Sequence, residues 1–508
     1  MSRLITATFF VGLLALKVII SWVYTIIYNL YFHPLSRFPG PKHAAASHIA
    51  YSWWFLGGSQ PYKVLDLHRK YGPVVRVAPN ELSFNSAQSW KDIYGFRQGH
   101  KPFVKSEFYD GGSFAARGVH SIVSERDPAV HGQMRRLLAH AFSNTSLLEQ
   151  EELVAKTVDR LVQVVWEQGA NSGASINIGK AYEMMAFDII GDLAFGETFQ
   201  ALGNKNPHPW IEITLGALTQ GALADTMKRF PGMAKVVKWV LSSKIAELTD
   251  GTKRNEDMAI DLLNRRISRR TRRRDFMTRI LEHRDLEKKQ TSDLELAAHA
   301  SDFVLAGSET TSTVLACMTF YLLKNPHIMA QLQNEIRSTF DEYSAISDIS
   351  TRPLRYLNAV CLEAMRMYAP LPFSLPRLVP EGGGSVDGHL LPEGMVVSTS
   401  PVGASLDPAN FSEPFTFKPK RWLTESPKDV LEASQPFSLG ARGCLGKSLG
   451  WMEMRTTLAK ILWTFDMEFA DPVPDWHGDS RMYTLWSKPQ LHVRVKPVRT
   501  PPFVSKAR

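Results

Sequence analysis

Of the three cysteines in 508 residues, one stands where a thiolate can do chemistry. Cys444 lies in Phe437-Ser-Leu-Gly-Ala-Arg-Gly-Cys-Leu-Gly446, a loop whose three glycines let backbone approach closely and aim amide groups at a sulfur. Arg442, two residues earlier, favours the anion. A helix is predicted over Lys447 to Leu462, so the thiol also sits near a helix N-terminus, whose dipole stabilises negative charge. A thiolate placed this way is suited to metal ligation or nucleophilic attack. Cys317 and Cys361 fall among apolar residues of predicted helices and read as core. Without a C-x-x-C pair, the cysteines exclude a disulfide scaffold, a structural zinc and a dithiol centre.

A second concentration of polar residues interrupts a long helix. Ser292-Asp-Leu-Glu295 is a capping box, and nothing breaks the helical pattern until Asn325-Pro326, which predicts a helix of roughly 30 residues and about 45 Å. At its centre Ala306-Gly-Ser-Glu-Thr-Thr311 sets polar side chains into an apolar face, with a glycine that costs about 1 kcal/mol against alanine. Such a defect in a central helix needs a reason. On another predicted helix Glu363 and Arg366 stand at i and i+3, on one face, where an acid and a guanidinium can lock bidentately.

The pattern F-x-x-G-x-R-x-C-x-G is the haem-binding signature of the cytochrome P-450 superfamily, and residues Phe437 to Gly446 match all five of its fixed positions. The chain resembles that family along its whole length, most closely the microsomal fungal members that tailor secondary metabolites. The resemblance implies that Cys444 is the axial ligand of haem b iron, with Phe437 and Arg442 as cofactor contacts. It implies that Glu309 and Thr310 are the acid and alcohol that relay protons, with glutamate where many relatives have aspartate. Glu363 and Arg366 form the E-x-x-R element. Arg421, in Pro419-Lys-Arg-Trp422, completes a structural lock beneath the haem loop, with tryptophan in place of the usual phenylalanine. His131 and Arg135 occupy the W-x-x-x-R position with histidine for tryptophan, and Arg377 matches a further propionate contact. Arg136 competes with Arg135 for that role. The substrate pocket is expected from Phe103 to Val119, Phe303, Ala306, Leu371 to Leu375 and the hairpin near Thr484 and Leu485, all read as lining a site for a lipophilic small molecule.

Pattern and composition also indicate the scaffold around these residues. Strand-like alternation gathers at Val74 to Val77, Glu81 to Phe84, Met395 to Thr399 and Leu491 to Val495, and the middle reads helical. The expected fold is mainly α with small β-sheets, one catalytic domain over residues 43–508 with no linker inside it. Residues 1–33 are read as a membrane anchor, with a span of about 4–32, because Leu4 to Phe32 is apolar apart from Lys17 and long enough to cross a bilayer. Pro34, Pro39 and Pro41 make 34–42 a stiff hinge. Charges flanking the span place the domain in the cytosol, and the resemblance points to the endoplasmic reticulum membrane.

The net charge of +9 favours acidic partners or an anionic membrane surface. Arginines 265, 266, 269, 270, 272, 273 and 274 supply much of it, read as a solvated helix face with lipid head groups as the alternative. Nucleic acid is not expected, since neither interleaved aromatics nor a binding module is visible. No flavin or nicotinamide domain is present in the pattern, so electrons must come from elsewhere. By resemblance the source is a separate NADPH-dependent flavoprotein reductase. The leading reading is a monooxygenase that uses O2 on the lipophilic molecule. Desaturation or oxidative coupling on the same haem is the near alternative, and a non-catalytic haem gas-binding or sensor protein the distant one.

Overall fold

The computed structural model describes residues 2–504 except 112–113, 115–116, 205–209, 211–220, 241, 270, 272, 287–290 and 425–427. Its axis is the central helix Asp293–Lys324, of 32 residues and so about 48 Å long. The predicted capping box is present: Ser292 accepts from the Glu295 amide, and the Glu295 carboxylate accepts from the Ser292 amide. Nearly every side chain from Leu296 to Leu322 is buried, because other helices enclose this one on all sides. The most extensive partner is Ile178–Phe195, itself buried along almost its whole length. Arg355–Met367 and the cysteine helix Lys447–Thr464 pack on the opposite flank.

The sheets are assembled from distant segments. Five strands order as Val74–Ala78, Glu81–Phe84, Val396–Thr399, Arg377–Leu378 and Val104–Lys105. The pairing of Glu81–Phe84 with Val396–Thr399 is parallel, in register Leu82 to Val397. Three further strands, Ile176–Asn177, His492–Pro497 and Phe465–Phe469, join the C-terminal segment to the domain. All four strand segments expected from alternation form. Sheets of two-residue strands such as Val104–Lys105 have too short a period to read.

At the N-terminus Ser2–Ile27 is helical and continues as a π-turn over Tyr28–Phe32. Among the described residues it is the one helix long and apolar enough to cross a membrane, over Ala15–Phe32. Its C-terminal end and the proline-rich segment after it are pinned to the domain. The buried Arg76 guanidinium donates to the Asn29 carbonyl at 2.8 Å, Asn29 donates to the Ala46 carbonyl, and Leu35 and Phe38 are buried against the five-stranded sheet.

The arginine run is a solvated face at Arg265, Arg269 and Arg274, which are exposed, and departs from it at Arg266, which is buried. Arg265 and Arg269 pair with Glu197 at 3.0 and 2.8 Å, Arg273 with Asp192 at 2.5 Å, and Arg266 with Asp275 at 2.8 Å in full burial. The Glu197 and Asp192 pairs tie Arg265, Arg269 and Arg273 to the C-terminal end of Ile178–Phe195 and the turn after it, while Arg266–Asp275 closes the segment on itself. Arg270 and Arg272 lie outside the described residues.

Candidate active site

The Cys444 loop is closed by its own backbone. The Cys444 amide donates to the Phe437 carbonyl at 2.8 Å, and the Gly443 amide to the Gly440 carbonyl at 3.0 Å. Gly440 has φ +69°, and a Cβ there would meet the Tyr94 carbonyl oxygen at 2.1 Å. No other residue fits. Arg135 donates to the Gly443 carbonyl at 2.6 Å, and the Lys447 ammonium lies 5.7 Å from the Phe437 ring. The thiol is accessible from the cavity it borders. Enclosure by the surrounding protein still pushes its pKa up, against the opposing pull of the Gly446 backbone, Arg135 and Lys447. The cations beside the sulfur are therefore Arg135 and Lys447. Arg442 instead donates to the Glu125 and Arg126 carbonyls at 2.7 and 2.8 Å, which corrects its expected role as the thiolate's neighbour.

Beneath the loop, Glu363 is saturated. Its carboxylate accepts from Arg366 Nε and Nη2 at 2.9 and 2.7 Å, Arg421 Nε at 3.1 Å, the Lys418 amide at 2.9 Å and the Trp422 indole at 2.9 Å. Arg366 spends its remaining donors on the Ser405 and Pro414 carbonyls, and Arg421 bonds Asp429. All three members of the lock are buried. The departure from phenylalanine at Trp422 adds a hydrogen bond that phenylalanine cannot make.

Five basic side chains converge on one wall of the same cavity: Lys105, His131, Arg135, Arg377 and Arg442. The register puts Lys105 directly opposite Arg377, a like-charge pair that destabilises a sheet unless something compensates it. Burial and the neighbouring cations drive Lys105 down to about 6, His131 to about 3 and Arg442 to about 10. Mutual depression of this kind marks a positive potential that requires an anion. The propionates of a haem would supply that anion, so the residues present fit the group. Arg136 is exposed and Arg135 borders the cavity, which decides between them. Lys105 was not anticipated; the signal was a lysine inside the otherwise apolar Phe103-Val104 run.

On the central helix the expected pair separates. Thr310 borders the cavity, its hydroxyl donating to the Ala306 carbonyl at 2.7 Å. Glu309 is absent from the cavity wall and buried behind the helix, where Lys488 Nζ meets its Oε2 at 3.1 Å while Oε1 has no partner among the described residues. Burial raises its pKa, opposed by Lys488 and reinforced by Glu183. Gly307 has its own reason: a Cβ would meet the Ile190 side chain at 3.1 Å, so the glycine lets the two central helices close.

The cavity, of about 350 Å³, lies between the central helix and the Cys444 loop. Phe303, Ala306, Leu371, Phe373 and Leu375 line it as expected, and Ile122 and Val123 extend the wall. Phe103 packs instead in the sheet's own core, and Thr484 and Leu485 are not among the lining residues. Residues 112–113 and 115–116 of the expected loop lie outside those described.

The family model for Cytochrome P450 matches residues 41–494, and the chain belongs to that family. Cytochrome P450 monooxygenase ORF11 of Penicillium roqueforti is 47% identical over 443 residues, covering 87% of this chain and 91% of its own. Cytochrome P450 monooxygenase BipB of Cochliobolus sativus is 44% identical, over 92% of this chain and 94% of its own. Trichothecene C-15 hydroxylase of Fusarium sporotrichioides is 37% identical, over 94% and 96%. The chain is thus a monooxygenase of the haem-thiolate class, working with a redox partner, O2 and an organic substrate.

Proposed function

We propose that this chain is a tailoring monooxygenase of fungal secondary metabolism. It is anchored in the endoplasmic reticulum membrane by residues 1–33, joined through 34–42 to a cytosolic domain over 43–508. The cofactor is haem b, and its electrons come from NADPH through a separate flavoprotein reductase. The substrate is a lipophilic skeleton, in keeping with Phe303, Leu371, Phe373 and Leu375 on the cavity wall and with relatives such as the trichothecene hydroxylase. The observation that carries the reading is one cavity with Cys444 on one side and five basic side chains on another, among which Lys105, His131 and Arg442 are depressed by burial and by neighbouring cations.

Within that cavity each side chain has a task. Cys444 would ligate iron, Phe437 would shield the sulfur side, and His131, Arg135, Arg377, Arg442 and Lys105 would hold the propionates. When bound, the haem supplies the activation of O2. Thr310 holds a proton at Oγ1, shared with the Ala306 carbonyl, and offers it to the cavity. Glu309, with Oε1 unpartnered among the described residues, completes the relay beside the Lys180–Glu183 pair at 2.8 Å. Glu363, Arg366 and Arg421 keep the loop rigid.

The reduced, carbon monoxide-bound spectrum tests this directly. Wild type should show the red-shifted Soret band of a thiolate ligand and Cys444→Ser should lose it; a wild type without that band overturns the site. Disrupting the gene in its host should accumulate an unoxidised lipophilic precursor, and an unchanged metabolite profile under producing conditions overturns the biosynthetic role.

A further inference from the structure

Behind the cavity two phenols share one imidazole. Tyr62 Oη lies 2.7 Å from His477 Nδ1, and Tyr321 Oη lies 2.6 Å from His477 Nε2, so both ring nitrogens are committed to tyrosines. Tyr62 stands on the helix Gln60–Tyr71, Tyr321 near the end of the central helix, and His477 just before the hairpin of Arg481–Tyr483 and Leu485–Ser487. Three segments far apart in the chain meet to set a base between two phenols. Burial lowers the His477 pKa to about 4 and pushes both phenols up. At neutral pH the phenols keep their protons and the uncharged ring has a lone pair to accept one.

Aromatic rings connect this triad to the cavity. The Trp486 indole donates to the Ala369 carbonyl at 2.8 Å, and Ala369 lines the cavity. Trp486 stacks on Tyr368 with centroids 4.5 Å apart and meets the Tyr62 ring at 5.7 Å, and Tyr62 meets His477 edge-on at 5.8 Å. Trp486 and Tyr368 are buried, whereas Tyr62 and His477 are half-buried, so the series runs from the cavity wall outwards. Core packing accounts for the ring contacts but not for a base held between two phenols. One hydroxyl suffices to satisfy a buried phenol, as Ser480 does for Tyr368 at 2.6 Å.

We infer that Trp486, Tyr62 and His477 form a protective route that carries oxidising equivalents out of the cavity when no substrate consumes them. Indole and phenol are among the side chains most easily oxidised by one electron. A phenol that loses an electron becomes a strong acid and needs a base within hydrogen-bond reach. Trp486 gives one electron to the oxidised haem site, whose oxidant is the O2 of the monooxygenase reaction. Tyr62 returns an electron to Trp486, and its O–H bond breaks as an N–H bond forms at His477 Nδ1. A small thiol then gives one electron to the neutral Tyr62 radical while His477 returns the proton. The thiol's own proton goes to water, and two of the resulting thiyl radicals couple as a disulfide. The inference rests on the monooxygenase reading of the cavity and is independent of Thr310 and Glu309.

The test mixes the full-length holoenzyme, without substrate, with a peracid, freezes it within milliseconds and records electron paramagnetic resonance. Wild type should give a tyrosyl signal, identified by its narrowing in protein grown on ring-deuterated tyrosine. Tyr62→Phe and Trp486→Phe should each lose that signal. His477→Gln, which can hydrogen-bond but is no base, should weaken it and shift its g values. Under repeated additions of hydrogen peroxide, Tyr62→Phe should lose its thiolate carbon monoxide band faster than wild type, with more oxidised side chains on the cavity wall by mass spectrometry. A tyrosyl signal undiminished in Tyr62→Phe, a wild type with the thiolate band but no tyrosyl signal, or equal bleaching of the two proteins overturns the inference and leaves the monooxygenase reading standing. A wild type without the thiolate band removes both. If Trp486→Phe does not fold, the half-buried positions Tyr62→Phe and His477→Gln decide the matter.

Discussion

Glu363, Glu309 and Glu453 are all buried on helices around the cavity, and their partners differ. Beneath the loop, Glu363 accepts five hydrogen bonds and leaves no lone pair idle. Glu453 at the cavity wall and Glu309 behind the central helix each keep an oxygen without a partner among the described residues. A saturated buried charge resists any change of protonation, which suits a scaffold. An unsaturated one is held near the point of gaining or losing a proton, which suits proton handling. The same residue type therefore serves rigidity beneath the loop and proton handling elsewhere around the cavity, and the difference lies entirely in its neighbours.

Breaking the saturated side should have the largest effect. Glu363→Ala strands two buried guanidinium groups and should cost about 3–5 kcal/mol, read as loss of folded, haem-containing protein; a variant of normal urea midpoint would refute the scaffold role. Next comes a group that burial keeps neutral. His299 accepts from the Ile122 amide at 3.1 Å and burial lowers its pKa to about 4. The unfolded chain takes up the proton near the ordinary histidine value of about 6.5 and the folded one does not. Its contribution is thus fully present above that value and is lost as pH falls towards about 4. The urea midpoint of wild type should drop across that window by about 3 kcal/mol more than that of His299→Asn; parallel curves would sink the idea. Trp422→Phe removes one of the five bonds to Glu363 and should cost about 2 kcal/mol in the same measurement, with activity retained. An unaltered midpoint would make the indole contact incidental. Lys105→Met should speed haem loss about tenfold, the worth of one charge-assisted bond. Slower haem loss would exclude Lys105 from the propionate wall.

Much of this was legible in the chain because it depends on local spacing. The ten-residue loop, the i, i+3 pair Glu363 and Arg366, and the capping box at Ser292 each act within a turn or two, so their residues meet wherever the segment goes. The strands at Glu81 and Val396 showed their alternation, but not that they would lie side by side in parallel. Lys105 was missed because a two-residue strand carries no period, and its meaning comes only from the register that sets it against Arg377. Arg442 was misjudged for the opposite reason: two residues from Cys444 in sequence, its guanidinium reaches across to the 125–126 carbonyls. Adjacency in a loop does not set side-chain direction.

The sequence by itself determined the cysteine loop, the helix that crosses the domain, the Glu363–Arg366 pair and hence the family, since each is a short pattern whose geometry the backbone enforces. Tertiary structure decided which acids are anions and which hold protons. That choice depends on charge partners and on exclusion of water, and both are set by segments far apart in the chain: Lys488 comes from the C-terminal region to meet Glu309, while among the described residues no cation comes to Glu453.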